Sequence, residues 1–216
     1  MILVPVKDLT RAKQRLEAVL DQPARTQLAC AMLQDVLDAL ASWRAHPLVS
    51  VVSSDPFACE QAAARGFAVI PDNVNESETA AIDMATEFCR QRGAEFTLVI
   101  PADIPLVRAE ELANVMGAAP DKGSVLVPAA DGRGTNAILR RPPALFPLRF
   151  GNDSFKPHVA AARATQTECL VLSFPGIGLD VDNPADLAQL AAAPGETRSQ
   201  RLVRGWRLDL PLAANE

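Results

Sequence analysis

FTLVIPADIPL, residues 96–106, decides how this chain is read. The run FTLVIP (96–101) is apolar on both sides, as a strand covered on both faces must be. PADIPL (101–106) then stops it. Two prolines bracket Asp103 and fix the local backbone, which leaves a carboxylate at the end of a buried strand. In sheets with helices on both faces, ligands bind beyond the carboxyl ends of the strands. A carboxylate there is well placed to hold Mg²⁺, a hard ion that takes oxygen ligands. It is equally a turn-forming Asp that caps the next helix.

The same alternation continues outward in both directions. ILVPV (2–6), LVSVVS (48–53), FAVIP (67–71), SVLVP (124–128), TNAIL (135–139) and CLVLS (169–173) read as strands. Pro23 sits in the first turn of a helix running to about Trp43, with Leu28, Met32, Val36, Leu37 and Leu40 on one face. Asp55-Pro56 opens a helix closed by Gly66. Further helices are predicted over 78–92, 109–118 and 154–165, and Pro184 opens a final short one. Strands alternating with helices imply a largely parallel sheet with helices on both faces, a three-layer α/β/α domain. The predicted domain spans 1–192, and 193–216 is a more polar tail, either a surface strap or a dimer arm.

Bulk properties exclude several functions. The net charge of −5 argues against general nucleic-acid binding, which needs a broad basic surface. No apolar run approaches the ~20 residues that span a bilayer. Only MILVPV precedes Lys7, too little for a secretory signal. Cys30, Cys59, Cys89 and Cys169 are scattered without a CxxC pair, so they read as reduced thiols in a cytoplasmic protein. With only His46 and His158 as histidines, a zinc site is not expected.

Against that acidic background, KDLTRAKQRL (7–16) places Lys7, Arg11, Lys13 and Arg15 straight after the first strand. The loop lacks the glycines of a phosphate loop or a dinucleotide fingerprint, so any phosphate would be held by side chains, with Lys13 and Arg15 at the tip. A solvated charged loop is the competing reading. GLDVDNPADL (178–187) alternates Asp180 and Asp182 on one face of an extended segment, from which Asp182 can meet Asp103 across a cleft. Asn183 before Pro184 accounts for the helix cap without accounting for those aspartates. In GRGTNAIL (132–139), Gly134, Thr135 and Asn136 are candidates to contact a small polar ligand. In FGNDSFKPHVAAA (150–162), Ser154 lies near a helix N-terminus, a ready anion site, and His158 reads as structural.

Taken in order, VPVK with AKQRL, PADIPL, GTNAIL, FGNDSFKPH and GLDVDNPADL resemble the CofC/FbiD guanylyltransferases of coenzyme F-420 biosynthesis, over residues 1 to 192. The resemblance implies the glycosyltransferase-A-like nucleotidyltransferase fold, as in nucleotide-diphospho-sugar transferases. It implies transfer of GMP from GTP to the phosphate of 2-phospho-L-lactate, phosphoenolpyruvate or 3-phospho-D-glycerate, with pyrophosphate released. It further implies that Val4, Pro5, Lys7 and Lys13 bind the nucleotide, and that Lys13, Arg15 and Asp103 are catalytic. Asp103, Asp180 and Asp182 would hold Mg²⁺, and Thr135, Gly151 and Ser154 the phospho-acid. Two departures stand out. AKQRL replaces the usual AKSRL, and NESETAA (75–81) stands where relatives have a smaller, more Asn- and Gly-like segment, which bears on base or acceptor preference. Two alternatives remain at this point: another nucleotidyltransferase of the same fold, whose Gly-rich first loop is absent here, and a non-catalytic nucleotide-binding module. An apolar patch in WRLDLPLA (206–213) offers a surface for a homodimer.

Overall fold

The computed structural model describes residues 1–73, 76–151 and 153–208. Its seven strands are β1 (Ile2–Pro5), β2 (Val49–Val52), β3 (Ala68–Ile70), β4 (Thr97–Val99), β5 (Gly123–Pro128), β6 (Thr135–Arg141) and β7 (Glu168–Val171). They form one sheet in the order β3-β2-β1-β4-β6-β5-β7. All pairings are parallel except those of β6, which is antiparallel to both β4 and β5. The reason is local: only residues 129–134 join β5 to β6, too few for the helical crossover that a parallel pair requires. Among the described residues no helix is long and apolar enough to cross a membrane.

Alternate residues of each strand feed opposite layers. Ile2, Val4, Val49, Val51, Leu98 and Val125 point to one face, where α1 (Gln22–Ser42), α2 (Pro56–Ala64) and α4 (Ala109–Gly117) cover them. Leu3, Val52, Val99, Leu126 and Ile138 point to the other, under α3 (Glu78–Gln91) and α5 (Phe155–Ala164). The helices start where local chemistry allows. Asp21, Asp55 and Ser77 accept backbone N–H bonds as N-caps, and prolines occupy the first turns of α1 and α2.

A third cluster sits at the carboxyl edge. Leu16 from the basic loop and Leu20 just beyond it, Leu28 and Met32 from α1, and Leu179 and Val181 after the short helix α6 (Pro175–Gly178) bury together with Leu187 and Leu190 of α7 (Pro184–Ala192) and Val203 of α8 (Arg198–Trp206). This cluster fastens the basic loop to the aspartate segment. It also corrects one expectation, because α7 is not the last helix. α8 follows it and packs against α1 through buried polar groups. Asp35 of α1 accepts bonds from the Arg198 and Ser199 amides and from Ser199 Oγ at 2.6–2.9 Å. Trp206 and Leu208 lie against the same cluster, and residues 209–213 of the expected dimer patch fall outside the described residues.

Candidate active site

The loops after β1 and β4, the start of β6 and the segment before α7 converge on one point. After β1, the chain turns at Lys13, whose backbone is left-handed with φ 57°. Its ammonium lies 2.7 Å from Asp103 Oδ2 and 2.7 Å from Asp182 Oδ1. Arg15 Nη1 adds a longer contact to Asp182 at 3.4 Å. The Val181 amide donates to the Asp103 carbonyl, which pins the two acidic segments side by side. Asp180 is held separately: Asn136 Nδ2 donates to its Oδ1 at 3.0 Å and to the carbonyls of Ile177 and Gly178. Asn136 therefore lines the site while its amide is committed to positioning Asp180.

The charges respond to this crowding. Burial works against the Lys13 charge, but Asp103 and then Asp182 outweigh it and hold the amine above its ordinary range. Burial also pulls Asp182 upward, and Lys13 reverses that, so Asp182 lies below the usual carboxylate value. Asp180 has no such cation. Burial, with Asp103 and Asp182 adding to it, pushes it up to about 6 despite the Asn136 bond.

The structure adds a residue that sequence reasoning missed. Glu78, the first residue of α3, faces the same acids, and burial followed by Asp103 pushes it up to about 7. Behind its Ser77 cap it looks like an ordinary acidic residue favoured by a helix N-terminus.

Glu78, Pro101 and Asp103 form the shared wall of two cavities. The first, about 360 Å³, is lined by Pro5, Lys7, Arg11, Lys13, Ala29 and Met32 among others. Lys7 there pairs with buried Asp72 at 2.5 Å. Val4 does not line it; the side chain is fully buried in the core, so of VP only Pro5 reaches the cavity. The second, about 400 Å³, is lined by Arg15, Arg133, Thr135, Phe150, Gly151, Ser154, Asp180 and Asp182 among others. Ser154 precedes α5 without capping it; its hydroxyl donates to Thr135 Oγ1 at 3.2 Å instead. The expected site residues, Val4 apart, thus border one continuous region.

Residues 1–214 match the family model "Guanylyl transferase CofC like". This chain belongs to that family. Among its relatives, the phosphoenolpyruvate guanylyltransferase of Sphaerobacter thermophilus is 37% identical over 190 residues, 88% of this chain and 91% of that protein. A phosphoenolpyruvate guanylyltransferase from a Roseiflexus species is 39% identical over 203 residues, 94% of this chain and 89% of that protein. The 2-phospho-L-lactate guanylyltransferase of Methanothermobacter thermautotrophicus is 33% identical over 207 residues, 95% and 90% of the two chains. The fold of the CofC-like chain is shared with a crystal structure from Desulfovibrio desulfuricans G20 described as a nucleotide-diphospho-sugar transferase (TM-score 0.76, 22% identity, 94% and 93% of the two chains). It is also shared with 4-diphosphocytidyl-2C-methyl-D-erythritol synthase (TM-score 0.58, 18% identity, 86% and 93% covered).

Proposed function

We propose that this chain transfers GMP from GTP to the phosphate of a small phosphorylated carboxylic acid, releasing pyrophosphate, as its phosphoenolpyruvate- and 2-phospho-L-lactate-specific relatives are named for doing. The observation that carries the reading is the shared wall: a cation-lined cavity and a hydroxyl-lined cavity meet at Asp103, as a two-substrate transfer requires. The nucleotide occupies the side with Lys7, Arg11 and Lys13. The phospho-acid occupies the side with Thr135, Gly151, Ser154 and Arg133.

The chemistry asks for cations rather than for a base. An acceptor phosphate is already an anionic nucleophile near neutral pH. In-line attack of its oxygen on the α-phosphorus forms one P–O bond and breaks the bond to the departing pyrophosphate. The barrier lies in bringing two anions together and in the charge that builds on the leaving group, so positioning and electrostatic stabilisation dominate. Lys13 and Arg15 supply positive charge at the junction, and Lys7 and Arg11 extend it along the nucleotide side.

The residues also fit a magnesium ion. Asp103, Asp180 and Asp182 offer carboxylate oxygens, the donors a hard divalent cation prefers. Asp180 is held up mainly by burial, with Asp103 and Asp182 adding to it, and a bound cation beside it would favour its charged form. Among the described residues no three acidic, His or Cys side chains stand close enough to form a ready cluster, because Lys13 stands between two of them. Mg²⁺ held there would neutralise phosphate oxygens and help orient them.

The reading is tested by incubating the protein with GTP, Mg²⁺ and, separately, phosphoenolpyruvate, 2-phospho-L-lactate and 3-phospho-D-glycerate, with products identified by mass. One acid should give the guanylylated product, and Asp103→Asn should fold normally and lose ~10²–10³ in turnover. No product from any acid, or near-normal turnover by Asp103→Asn, would refute it.

A further inference from the structure

His158 lines neither cavity, yet it is wired to the acceptor side. It is 1% exposed on the first turns of α5. Its Nε2 lies 2.8 Å from the backbone amide of Arg149, and its Nδ1 lies 2.9 Å from Thr135 Oγ1. An amide N–H can only donate, so Nε2 must be an unprotonated acceptor. The neutral ring then carries its proton on Nδ1 and donates it to Thr135.

Proton counting shows what this does. Within the group formed by His158 Nδ1–H, the Thr135 hydroxyl and the Ser154 hydroxyl there are three protons. Two internal contacts, His158 to Thr135 and Ser154 to Thr135, consume two of them. Thr135 cannot donate back to a protonated Nδ1. Whichever way the two hydroxyls are turned, one O–H is left to donate outside the group. Thr135 and Ser154, 6% and 4% exposed, both border the 400 Å³ cavity, so that donor faces the ligand space. A ring with its proton on Nε2 would leave Thr135 free to donate inward and would remove this bias.

We propose that His158 is a positioning residue: by occupying a lone pair of Thr135 it sets the Thr135–Ser154 pair as an outward donor for an anionic oxygen of the phospho-acid. The inference rests on the acceptor assignment given above for this cavity. It is supported by the environment of the ring, since burial, with Arg140 second, holds the imidazole down to about 4 and so keeps it neutral. The ring also braces the loop, with Phe150 edge-on at 5.1 Å between centroids, so loop-holding and hydroxyl-setting must be separated by experiment.

Two substitutions separate them. In His158→Gln the longer amide reaches the Nε2 position and keeps an acceptor for the Arg149 amide while losing the donor to Thr135. In His158→Asn the shorter amide occupies the Nδ1 position and keeps that donor while losing the loop contact. By the same count His158→Gln still leaves one outward O–H but no longer anchors Thr135 Oγ1, so KM for the acid should rise severalfold, the scale of misplacing one hydrogen bond, with KM for GTP within twofold. His158→Asn should keep the acid KM within threefold. Thr135→Val should match His158→Gln, and the double variant should be no worse than Thr135→Val alone, because both remove one device. In the free wild-type protein, ¹⁵N NMR of the ring should show the Nδ1–H tautomer. The proposal is overturned by an Nε2–H ring, by His158→Asn impairing acid binding more than His158→Gln, or by additive losses in the double variant. Failure of all three acids to react in the wild type would instead sink the substrate assignment, and the ring tautomer would still decide the role of His158.

Discussion

Replacing Lys13 with Met tests the centre of the site through stability alone. Met keeps the length and the apolar stem of lysine and removes only the charge, so the left-handed turn at this position is left as it was. What is lost is an ammonium 2.7 Å from two carboxylates. The lysine side chain is 8% exposed, while those of Asp103 and Asp182 are 31% and 37% exposed. Removing one partner of a fully buried ion pair costs ~3–5 kcal/mol, because the other charge is stranded. Here water can reach a third of each carboxylate, which places the cost at the lower end, about 3 kcal/mol. For a chain of this size each kcal/mol moves the melting temperature by ~2–4 °C, so Lys13→Met should melt roughly 6–12 °C lower in chelator.

The same variant reports on the metal. With the ammonium gone, a divalent ion meets two carboxylates compensated, among the described residues, only by the longer Arg15 contact to Asp182. Mg²⁺ at ~100 times its dissociation constant would return about 2.7 kcal/mol, most of the deficit. In the wild type the ion must displace Lys13, so without nucleotide Mg²⁺ should shift melting much less. Differential scanning fluorimetry of both proteins, with chelator and then with millimolar Mg²⁺, reads all four values. A variant melting within ~2 °C of wild type in chelator, or Mg²⁺ stabilising the wild type as much as the variant, would refute the idea that Lys13 stands in for a cation between Asp103 and Asp182.

Three further outcomes are expected. Burial holds the His158 imidazole near 4 against an ordinary 6.5, so the folded chain binds fewer protons than the unfolded one between those values. The His158 contribution to stability should therefore fall by roughly 3 kcal/mol as pH drops from about 6.5 toward 4, against the opposite trend from the raised Glu78 and Asp180, and it is read as the difference between wild type and His158→Gln in urea titrations; equal slopes in the two proteins would argue against it. Gly176→Ala should destabilise by ~1–3 kcal/mol or more and impair activity, since a Cβ there would collide with the Leu106 carbonyl and Glu111 Oε2, in the short helix α6 that leads to Asp180; thermal melting and turnover check both effects. Asp35→Ala leaves the Arg198 and Ser199 amides without their acceptor, so hydrogen exchange should show α8 losing protection while the central strands keep theirs.

The parts of this molecule that the sequence discloses are those whose causes are local. Strands buried on both faces leave uninterrupted apolar runs, so LVSVVS and TLVIP could be placed to within two residues. Asp21 with Pro23, Asp55 with Pro56 and Asn183 with Pro184 mark helix starts because a cap acts over three residues. The reversed direction of β6 depends on which strand it joins, and the missing crossover between β5 and β6 is its only local trace. The helix over 198–206 escaped for a different reason: Asp35, Ser199 and Gln200 anchor it, and buried polar groups leave no mark on hydrophobic periodicity.

The site divides along the same line. Lys13, Asp103 and Asp182 were legible because each stands in a charged or Pro-bracketed stretch directly after a strand or before a capped helix start, in the order the family resemblance requires. Their mutual contact was not, because it depends on Leu16 and Val181 entering one apolar cluster from segments 165 residues apart in sequence. Glu78 and His158 were passed over because each has an adequate local explanation, one as a helix-start acid and the other as a residue on the buried side of a helix. Both face polar groups contributed by distant elements, Glu78 the Asp103 and Lys13 charges and His158 the Thr135 hydroxyl. A local rule that already accounts for a residue conceals any second role set by tertiary contacts. In a fold whose ligands gather at strand ends, the residues to re-examine are therefore the well-explained polar ones at the first turn of the flanking helices, where α3 and α5 hold these two.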